Sequence, residues 1–353
     1  MCSIFQPMTK AATRAKNIQL VSKPMTSTLL SSGHYMPLLG LGTWQSSPGE
    51  VEQAVVSALD AGYRHIDTAT LYKNEKEIGN AIQSWLKKGG KREDLFITTK
   101  LPHIGNRPSD VDTYVTNSLR NLQVDYLDLY LMHMPFTFKP DLSGEAPAKN
   151  LDGTFVLEDT DHIAIWRVRN GEKLVKSGLI RSIGVSNFNG DQLENIIKNA
   201  EILPSNLQVE LHVALQQPGL QKLCKKYNVT MTAYSPLGSP GAKEHFKNKY
   251  GKDDMDFPDI LNDSTVTDIA AKLNRTPAQV LLNFLILQNI AVIPKSVNPQ
   301  RIQENSQIFD FELSADDIEK LRKLDRGQKG RIVNFLFFSG VEKHSEYPFR
   351  SEL

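Results

Sequence analysis

The 353-residue chain has little of several features that would each identify a class of protein. It contains only two cysteines, Cys2 and Cys224, which are too few for a disulfide framework and favour a reducing compartment. Its 41 basic and 40 acidic side chains leave a net charge of +1, so no overall positive field would attract nucleic acid. No apolar run approaches the roughly 18 residues that span a bilayer. We therefore expect a globular protein that binds neither nucleic acid nor membrane.

The amino-terminal segment is unusual in its charge. The first 48 residues contain no acidic side chain and four basic ones. This composition suits a mitochondrial presequence, but a disordered tail has the same composition, and Met25 could serve as a later start. We predict that residues 1–29 form a disordered extension and that residues 30–353 form the domain. The expected location is the cytoplasm, with mitochondrial targeting as the alternative.

Short β-rich runs alternate with segments of helical periodicity from residue 38 to about residue 308. The eight predicted strands are Leu38–Thr43, Arg64–Thr68, Leu95–Lys100, Tyr126–His133, Ile180–Val185, Leu207–Leu211, Thr230–Tyr234 and Ile290–Ile293. The predicted helices are Gly49–Ala61, Asn74–Lys88, Pro108–Leu122, His162–Lys176, Asn189–Asn199, Gln217–Tyr227, Thr265–Gln288 in two pieces, and Pro299–Ile308. Eight such repeats within about 250 residues predict an α/β protein with a (β/α)8 TIM barrel. An open doubly wound sheet is the alternative, although it usually has fewer strands and a phosphate-binding turn.

Two long segments and a tail do not fit the simple repeat. Phe136–Asp161 follows the fourth predicted strand, and Gly238–Asn262 follows the seventh. Loops after barrel strands lie on the face where barrel enzymes have their active sites. The tail, Leu313–Leu353, begins with a helix capped by Ser314 and becomes irregular and aromatic around Phe335–Phe338. We expect both loops and the tail to cover the active-site face.

Polar side chains stand at the ends of the predicted strands. Asp67, Lys100 and His133 end three consecutive strands and are spaced 33 residues apart. Buried strands have little reason to end in ionisable groups unless those groups meet a partner or a ligand. In a closed barrel all these ends meet at one rim. Further polar strand ends are Ser186, Asn187, Gln208, Glu210, Tyr234, Ser235, Lys295 and Ser296.

Four side chains at this rim suit the reduction of a carbonyl group. The pKa of a phenol such as Tyr72 is near 10, so the group donates a proton reluctantly at neutral pH. An adjacent Lys100 ammonium is expected to lower that pKa, and a buried Asp67 would keep the lysine charged. His133 would orient the carbonyl oxygen. The set is suited to protonating the oxyanion that forms when a hydride reaches a carbonyl carbon.

No metal site is predicted. Glu210 and His212 are the only clustered pair of possible ligands, and the sequence offers no third ligand at a suitable spacing.

A hydride requires a nicotinamide, yet the usual dinucleotide fingerprint is missing. Residues 40–45 begin like its first glycines but lack the third glycine and the downstream acid. Lys295 and Ser296 instead lead into a helix that carries Arg301, which together suit a phosphate socket. Two cations there favour a 2′-phosphate, and hence NADP over NAD. A solvated basic loop is the simpler alternative.

Four motifs carry a resemblance to a known family. They are Gly62–Ala69 followed by Tyr72, Asn74, Glu75 and Gly79; Gly178–Phe188; Ala233–Gly238; and Ile293–Val297. The order and spacing of these motifs resemble those of the aldo-keto reductase superfamily, and in particular of its aldose reductase–like members. The resemblance extends from about Leu30 to the end of the chain. The tail Gly340–Phe349 is similar to that of insect members, some of which reduce 3-dehydroecdysteroids.

The resemblance implies a monomeric barrel that reduces aldehydes or ketones with NADPH. It implies that Tyr72 is the proton donor, that Asp67 and Lys100 lower its pKa, and that His133 orients the substrate. The implied cofactor contacts are Thr43, Trp44, Asp67, Ser186, Asn187, Gln208, Tyr234, Ser235, Pro236, Leu237, Ser239, Lys295, Ser296, Val297, Arg301, Glu304 and Asn305, with Tyr234 stacked on the nicotinamide. The expected substrate contacts are Trp44, Tyr72, His133, Met134, Phe136 and Phe337.

These contacts predict an apolar substrate pocket, which suits a hydrophobic carbonyl compound or, more specifically, an ecdysteroid-type ketone. A second class of function stays open, because relatives of this barrel also serve as channel-associated subunits or lens structural proteins that bind NADPH without turnover. Compared with the family pattern, the chain carries two extra residues near Asn170-Gly171, and we expect a bulge or break in that helix.

Overall fold

Eight parallel strands form one sheet that closes on itself in the computed structural model, which describes residues 26–167, 172–251 and 257–350. The strands are β1 (Leu41–Gly42), β2 (His65–Asp67), β3 (Phe96–Leu101), β4 (Leu127–Met132), β5 (Ile180–Ser186), β6 (Asn206–Glu210), β7 (Thr230–Tyr234) and β8 (Ile290–Val292). Neighbours in the sheet are neighbours in the chain. Parallel bridges from Leu39 to Val292 and from Gly42 to Lys295 close the ring. The predicted (β/α)8 barrel is confirmed, and the open sheet is excluded.

The strands form where both faces can be buried. All six residues of β3 and all six of β4 are buried, as expected for parallel strands with side chains inside the barrel and helices outside. Each predicted strand overlaps an observed one, and β7 has the predicted bounds.

Helices follow the strands, and several of them begin at a capped residue. They are α1 (Pro48–Asp60), α2 (Glu75–Lys87), α3 (Val111–Leu122), α4 (His162–Ile165), α5 (Glu172–Lys176), α6 (Gly190–Asn199), α7 (Pro218–Lys226), α8 (Ala242–Tyr250), α9 (Ser264–Leu273), α10 (Pro277–Ile286), α11 (Pro299–Ser306) and α12 (Ala315–Arg322). Asn189 and Ser314 cap α6 and α12 through reciprocal hydrogen bonds with the third helical residue. In the described part of the chain, no helix has the length and apolar character needed to cross a membrane.

Two predicted helical segments each contain two of these helices. The segment 265–288 is two helices, as predicted, because Thr276 caps α10 and Pro277 occupies its first turn. The segment 162–176 contains α4 and α5, and residues 168–171 between them lie outside the described residues. The expected bulge near Asn170-Gly171 lies outside the described residues.

A two-stranded hairpin closes the amino-terminal end of the barrel. Its strands are Ser27–Leu29 and Tyr35–Pro37, and its turn is hydrogen-bonded to the barrel through Ser31 to Ser205 at 3.1 Å and Ser32 to Ser182 at 2.7 Å. The predicted boundary of the extension at residue 29 is therefore wrong, because residues 27–29 are part of this hairpin. Residues 1–25 of the predicted extension lie outside the described residues.

The long loops contain structure that the sequence analysis did not predict. The segment after β4 forms a hairpin, Thr137–Phe138 with Leu157–Glu158, and the segment after β7 contains α8. Together with the carboxyl-terminal tail, these loops bury a second apolar cluster, which we call the tail cluster. Its buried members are Ile104, Met134, Phe136, Phe138, Ile332, Val333, Phe335, Val341, Tyr347 and Phe349.

One buried carboxylate anchors the tail to the barrel. Glu210, the last residue of β6, is fully buried and accepts hydrogen bonds of 2.7 Å from the backbone N–H groups of Ile332 and Val333. His212 lies 3.0 Å from the same carboxylate. Two charge-assisted bonds to adjacent N–H groups fix the direction in which the tail crosses the carboxyl-terminal face of the barrel.

We expect Glu210→Gln to release this part of the tail. An amide has one acceptor oxygen, and its NH2 group would face the second N–H donor, so the free energy of unfolding should fall by about 2–4 kcal/mol. The KM for substrate should rise, because the tail covers the cavity described below. Urea unfolding and steady-state kinetics test both effects. Glu346→Gln, at a half-exposed tail contact with Gln192, is the control and should cost less than about 1 kcal/mol; equal losses would contradict the anchoring role.

Candidate active site

A cavity of about 1350 Å³ opens at the carboxyl-terminal ends of the strands, under α8, the β4 loop and the tail. This is the face on which barrel enzymes bind their substrates. All seventeen residues that were predicted to contact the cofactor line it, from Thr43 to Asn305. Of the predicted substrate contacts, it is lined by Trp44, Tyr72, His133, Met134 and Phe337. The structure therefore brings these residues into one place, and their individual roles stay predictions.

Two predicted site residues do not line the cavity. Phe136 is fully buried in the tail cluster, with its ring 5.4 Å from the rings of Phe138 and Phe335. Its assignment as a substrate contact is wrong, because it supports the cavity wall from behind. Lys100 is also fully buried, and it reaches the site through its contact with Asp67.

Asp67 and Lys100 form a buried ion pair at the ends of β2 and β3. Lys100 Nζ lies 2.5 Å from Asp67 Oδ1 and donates to the Thr68 carbonyl at 2.9 Å. Gln208 Nε2 donates to the other carboxylate oxygen at 2.7 Å. Burial lowers the pKa of Lys100, and the Asp67 charge opposes that shift. Each hydrogen bond satisfies a group that would otherwise be costly to bury, so the pair holds both side chains in a fixed geometry.

Tyr72 lies beside this pair. It ends a 3₁₀ turn, Thr70–Tyr72, after β2, and the following Lys73 turns the chain with a φ of 54°. Lys100 Nζ lies 5.2 Å from the centre of the Tyr72 ring. The ring meets that of His133 edge to face, with centres 5.7 Å apart. A phenol, an ammonium and an imidazole thus meet on the cavity wall.

The pKa of Tyr72 is raised well above its ordinary value, first by burial and then by the charge of Asp67. Burial and the Asp67 charge thus oppose the lowering that the sequence predicts for an adjacent ammonium, and the effect of Lys100 on this pKa stays a prediction. The phenol is kept protonated, as a proton donor must be. An alkoxide is a much stronger base than a phenolate, so the phenol can still protonate it.

His133 is held as a neutral imidazole. Its pKa lies well below the usual value because of burial, with smaller contributions from Lys100 and His103. Asn187 donates to the His133 carbonyl at 2.8 Å and accepts the hydroxyl of Tyr234 at 2.7 Å. The neutral ring can donate one N–H to a carbonyl oxygen without adding charge to the site.

These buried histidines predict that stability falls in acid. The pKa values of His65, His103 and His133 are lowered by burial, to about 3 for His103. The unfolded chain, with histidine pKa values near 6.5, binds protons that the folded chain does not, so the stabilisation is complete above pH 6.5 and is lost as the pH falls below it. Urea unfolding at pH 5.5 should give a free energy about 3 kcal/mol lower than at pH 7.5, or about 1.4 kcal/mol for each of His103 and His133 and a smaller amount for His65. Equal or greater stability at pH 5.5 would contradict this.

Unusual backbone conformations cluster at the cavity. Eleven non-glycine residues in the described part of the chain have positive φ. Six of them, Gln45, Lys73, Asn187, Ser235, Ser239 and Phe335, line the cavity. Such conformations cost about 1–3 kcal/mol each and persist where the surrounding structure enforces them, which is common at ligand sites.

One group of cavity residues suits a phosphorylated cofactor. Lys295 and Arg301 line it, together with Ser296 and Asn305. Asn298 caps α11 by accepting the backbone N–H of Arg301 at 3.0 Å. Burial lowers the pKa of Lys295, and Glu50 opposes the shift. Two cationic side chains and a helix start in one groove are chemically suited to phosphate groups, so the residues present fit a nicotinamide dinucleotide phosphate.

Several cavity residues are not among those predicted from the sequence. His103 follows β3 and lines the cavity, as do Phe246, Lys249 and Tyr250 of α8. The α8 residues lie in the loop after β7, whose weak apolar periodicity gave no signal of a helix packed over the site. Trp44 contacts α8 across the cavity, with its ring 5.6 Å from that of His245.

Glu210 and His212 are the pair considered as possible metal ligands. Glu210 instead accepts the two hydrogen bonds from the tail, and His212 lies beside its carboxylate. Among the described residues, no group of three histidine, cysteine or carboxylate side chains is placed to hold a metal ion.

Comparison with known proteins gives a consistent result. Residues 38–326 match the aldo/keto reductase family. Aldo-keto reductase family 1 member A1 of Bos taurus is 41% identical over 329 residues, which cover 91% of this chain and 97% of the relative. Member A1-A of Danio rerio is 40% identical over 92% of this chain and 99% of its own length. The structure of the aldose reductase from Schistosoma japonicum matches with a TM-score of 0.82 and 39% identity, over 93% of this chain and 100% of that one. The chain belongs to the aldo/keto reductase family.

Proposed function

We propose that the protein reduces aldehydes and ketones to alcohols with NADPH, and that Tyr72 supplies the proton. Membership of the family indicates carbonyl reduction as the type of reaction. The observation that carries the finer proposal is the arrangement of Tyr72 between the buried Asp67–Lys100 pair and a neutral His133 on one cavity wall. The sequence predicted these four residues as one set.

The chain's own groups have distinct tasks in this reaction. NADPH, when bound, supplies a hydride to the carbonyl carbon. His133 donates a hydrogen bond to the carbonyl oxygen and fixes its position. The Tyr72 hydroxyl then gives its proton to the oxygen as negative charge develops there. Lys100 stabilises the phenolate that remains, and Asp67 keeps Lys100 charged and in place.

The proposed cofactor preference rests on the groove beyond Tyr234. Lys295 and Arg301 provide two positive charges, which suit the additional 2′-phosphate of NADPH. Tyr234 presents its ring to the same cavity, with its hydroxyl held by Asn187. We propose that this fixed ring stacks on the nicotinamide and determines which face carries the hydride.

The substrate is proposed to be a hydrophobic carbonyl compound. Trp44, Met134 and Phe337 line the cavity with apolar surface near Tyr72. The similarity of the tail to that of insect members makes an ecdysteroid-type ketone a specific candidate. We also propose that the protein acts as a monomer and is located in the cytoplasm. Size-exclusion chromatography with light scattering would test the oligomeric state, and cell fractionation would test the location.

A panel of carbonyl compounds tests the proposed function. Benzaldehyde, a long-chain aliphatic aldehyde and an ecdysteroid 3-ketone are each offered with NADPH and with NADH. We expect oxidation of NADPH with at least the aromatic aldehyde, and a preference over NADH of about tenfold or more from the two phosphate-facing cations. Tight binding of NADPH with no oxidation by any carbonyl compound would overturn the proposal and favour the alternative, a barrel with a structural or channel-associated role.

A further inference from the structure

A second buried carboxylate contacts the residue next to Lys100 and is not used by the proposed reaction. Glu75 is the first residue of α2 and is 4% exposed. Its Oε1 atom accepts the Thr99 hydroxyl at 2.6 Å and the Ser118 hydroxyl at 2.8 Å. Short O–H···O distances of this kind are typical of bonds to an ionised acceptor. The surroundings of Glu75 therefore suit a carboxylate rather than a carboxylic acid.

The charge of Glu75 acts on Lys100 without direct contact. Among the described residues, Lys100 is ion-paired with Asp67, and Glu75 forms no ion pair within 4.0 Å. Burial lowers the pKa of Lys100, and the charges of Asp67 and then Glu75 oppose that shift. Burial raises the pKa of Glu75, and its hydrogen bonds and the charge of Lys100 oppose that shift. Lys100 is thus the common cation of two buried carboxylates, one in contact and one at longer range.

Hydrogen bonds also connect Glu75 with the turn that carries Tyr72. The Ser118 hydroxyl, which donates to Glu75, lies 3.3 Å from the Thr70 hydroxyl. Thr70 donates to the Lys100 carbonyl at 3.2 Å and begins the 3₁₀ turn that ends at Tyr72. Through two hydroxyl groups, Glu75 is therefore connected both to the backbone of Lys100 and to the turn of the proposed proton donor.

The remaining titratable groups at this place are neutral, apart from Asp67. Besides each other, Lys100 and Glu75 face Asp67 and His65 of β2, Tyr72, Tyr130 of β4, and His133. Burial raises the pKa values of both tyrosines and lowers those of both histidines. Among the described residues, the negative charges that act on Lys100 are therefore those of Asp67 and Glu75.

We propose that Glu75 is a positioning residue, whose charge helps to keep Lys100 protonated and whose hydrogen bonds hold the turn that carries Tyr72. This inference rests on the proposed function, in which the Lys100 ammonium stabilises the phenolate of Tyr72. A buried ammonium tends to lose its proton, because the neutral amine is cheaper to bury. A second negative charge in the same low-dielectric surroundings opposes that loss.

Titration of Lys100 in a Glu75→Gln variant tests this role. Glutamine keeps the size and an acceptor oxygen for Thr99 and Ser118, and Asn121 can reverse its amide to meet the new NH2 group, so the variant removes mainly the charge. NMR of protein labelled with ¹³C at lysine Cε follows protonation, and the Lys100 signal is the one that disappears in Lys100→Arg. We expect its midpoint to fall by about 0.5–1 pH unit. An unchanged midpoint would overturn the proposal.

The pH dependence of kcat should follow the same shift. Since the proposed reaction needs a charged Lys100, kcat for benzaldehyde should decline in alkali as the ammonium is lost. In Glu75→Gln this decline should begin at a lower pH, while kcat at pH 7 stays within about threefold of the wild-type value. A Glu75 that only supports the fold would lower stability and leave the decline where it is in the wild-type protein.

Glu75→Asp separates the charge from the support of the fold. The shorter side chain keeps the charge but loses reach to Thr99 and Ser118, so the free energy of unfolding should fall. The Lys100 midpoint should stay close to that of the wild-type protein. If the midpoint in Glu75→Asp fell as far as in Glu75→Gln, the charge would not be its cause and the proposal would be wrong.

A buried carboxylate elsewhere in the barrel provides the matched control. Asp128, in β4, is paired with Arg92 at 2.7 Å and with Arg181 at 3.2 Å. Asp128→Asn removes one buried negative charge, as Glu75→Gln does, and should also lower stability. It should not move the Lys100 midpoint, and an equal shift there would contradict a specific effect of Glu75.

The NMR titration does not depend on turnover, so it separates this inference from the proposed function. If the wild-type protein reduces no carbonyl compound, the proposed function fails, but a lower Lys100 midpoint in Glu75→Gln would still support the action of Glu75 on the ammonium. If reduction occurs and the midpoint is unchanged, the proposed function stands and the positioning role of Glu75 is refuted.

Discussion

Tyr72→Phe is expected to lower kcat for carbonyl reduction by about 10²- to 10⁴-fold, the range typical of a lost general acid. The substitution removes one oxygen atom and leaves the ring between Lys100 and His133. Affinity for NADPH should therefore stay close to that of the wild-type protein, because the substitution changes none of the residues that are proposed to hold the phosphate groups. Stopped-flow measurement of NADPH oxidation and fluorescence titration of NADPH give the two quantities separately.

A second buried phenol provides the control. Tyr63 is buried outside the cavity and donates a hydrogen bond to the Ile302 carbonyl at 3.2 Å. Tyr63→Phe should cost about 1 kcal/mol of stability and should not change kcat. A Tyr72→Phe protein with wild-type kcat would remove Tyr72 from its proposed role.

Lys100→Met is expected to damage both stability and turnover. Methionine fills much of the same space but leaves Asp67 as a buried charge that, among the described side chains, keeps the hydrogen bond from Gln208 and loses its cation. Breaking a buried pair in this way should lower the free energy of unfolding by about 3–5 kcal/mol. The kcat should fall as well, because no cation then stabilises the phenolate of Tyr72. Urea unfolding and single-turnover kinetics test these outcomes.

The double variant Asp67→Asn/Lys100→Met separates the two effects. Removing the second charge should restore part of the lost stability, since no unpaired carboxylate is left buried. It should not restore kcat, because the cation is still absent. If kcat returned together with stability, Lys100 would act only by supporting the fold.

Much of the fold and the site could be predicted because few geometric rules control them. Parallel strands buried on both faces give apolar runs of recognisable length, and helices between them show a 3.6-residue period. In a closed barrel, the residue after each strand must reach the same rim. The spacing of Asp67, Lys100 and His133 therefore predicts that they lie close together.

Other features depend on contacts between distant segments. The burial of Phe136 behind the cavity wall results from packing against Phe335 and Phe338, and no local pattern indicates this pairing. The direction of the pKa shift of Tyr72 depends on how much water the surrounding loops exclude. The position of α8 over the cavity is set by aromatic contacts with Trp44 and Phe337. The periodicity of apolar residues along the sequence indicates neither these contacts nor the exclusion of water.

The anchoring of the tail by Glu210 has a consequence for the order of synthesis. The barrel strands leave the ribosome before residues 331–350 are made, so for a time the Glu210 carboxylate has no tail N–H groups to bind and the side chains of Phe136 and Phe138 are uncovered. Exposed aromatic surface on a partly made domain favours aggregation. The cover of the active site is thus the last part of this domain to be completed, and a chain that is cut short before Ile332 would lack both N–H donors to Glu210 and would leave the aromatic side chains of the tail cluster exposed.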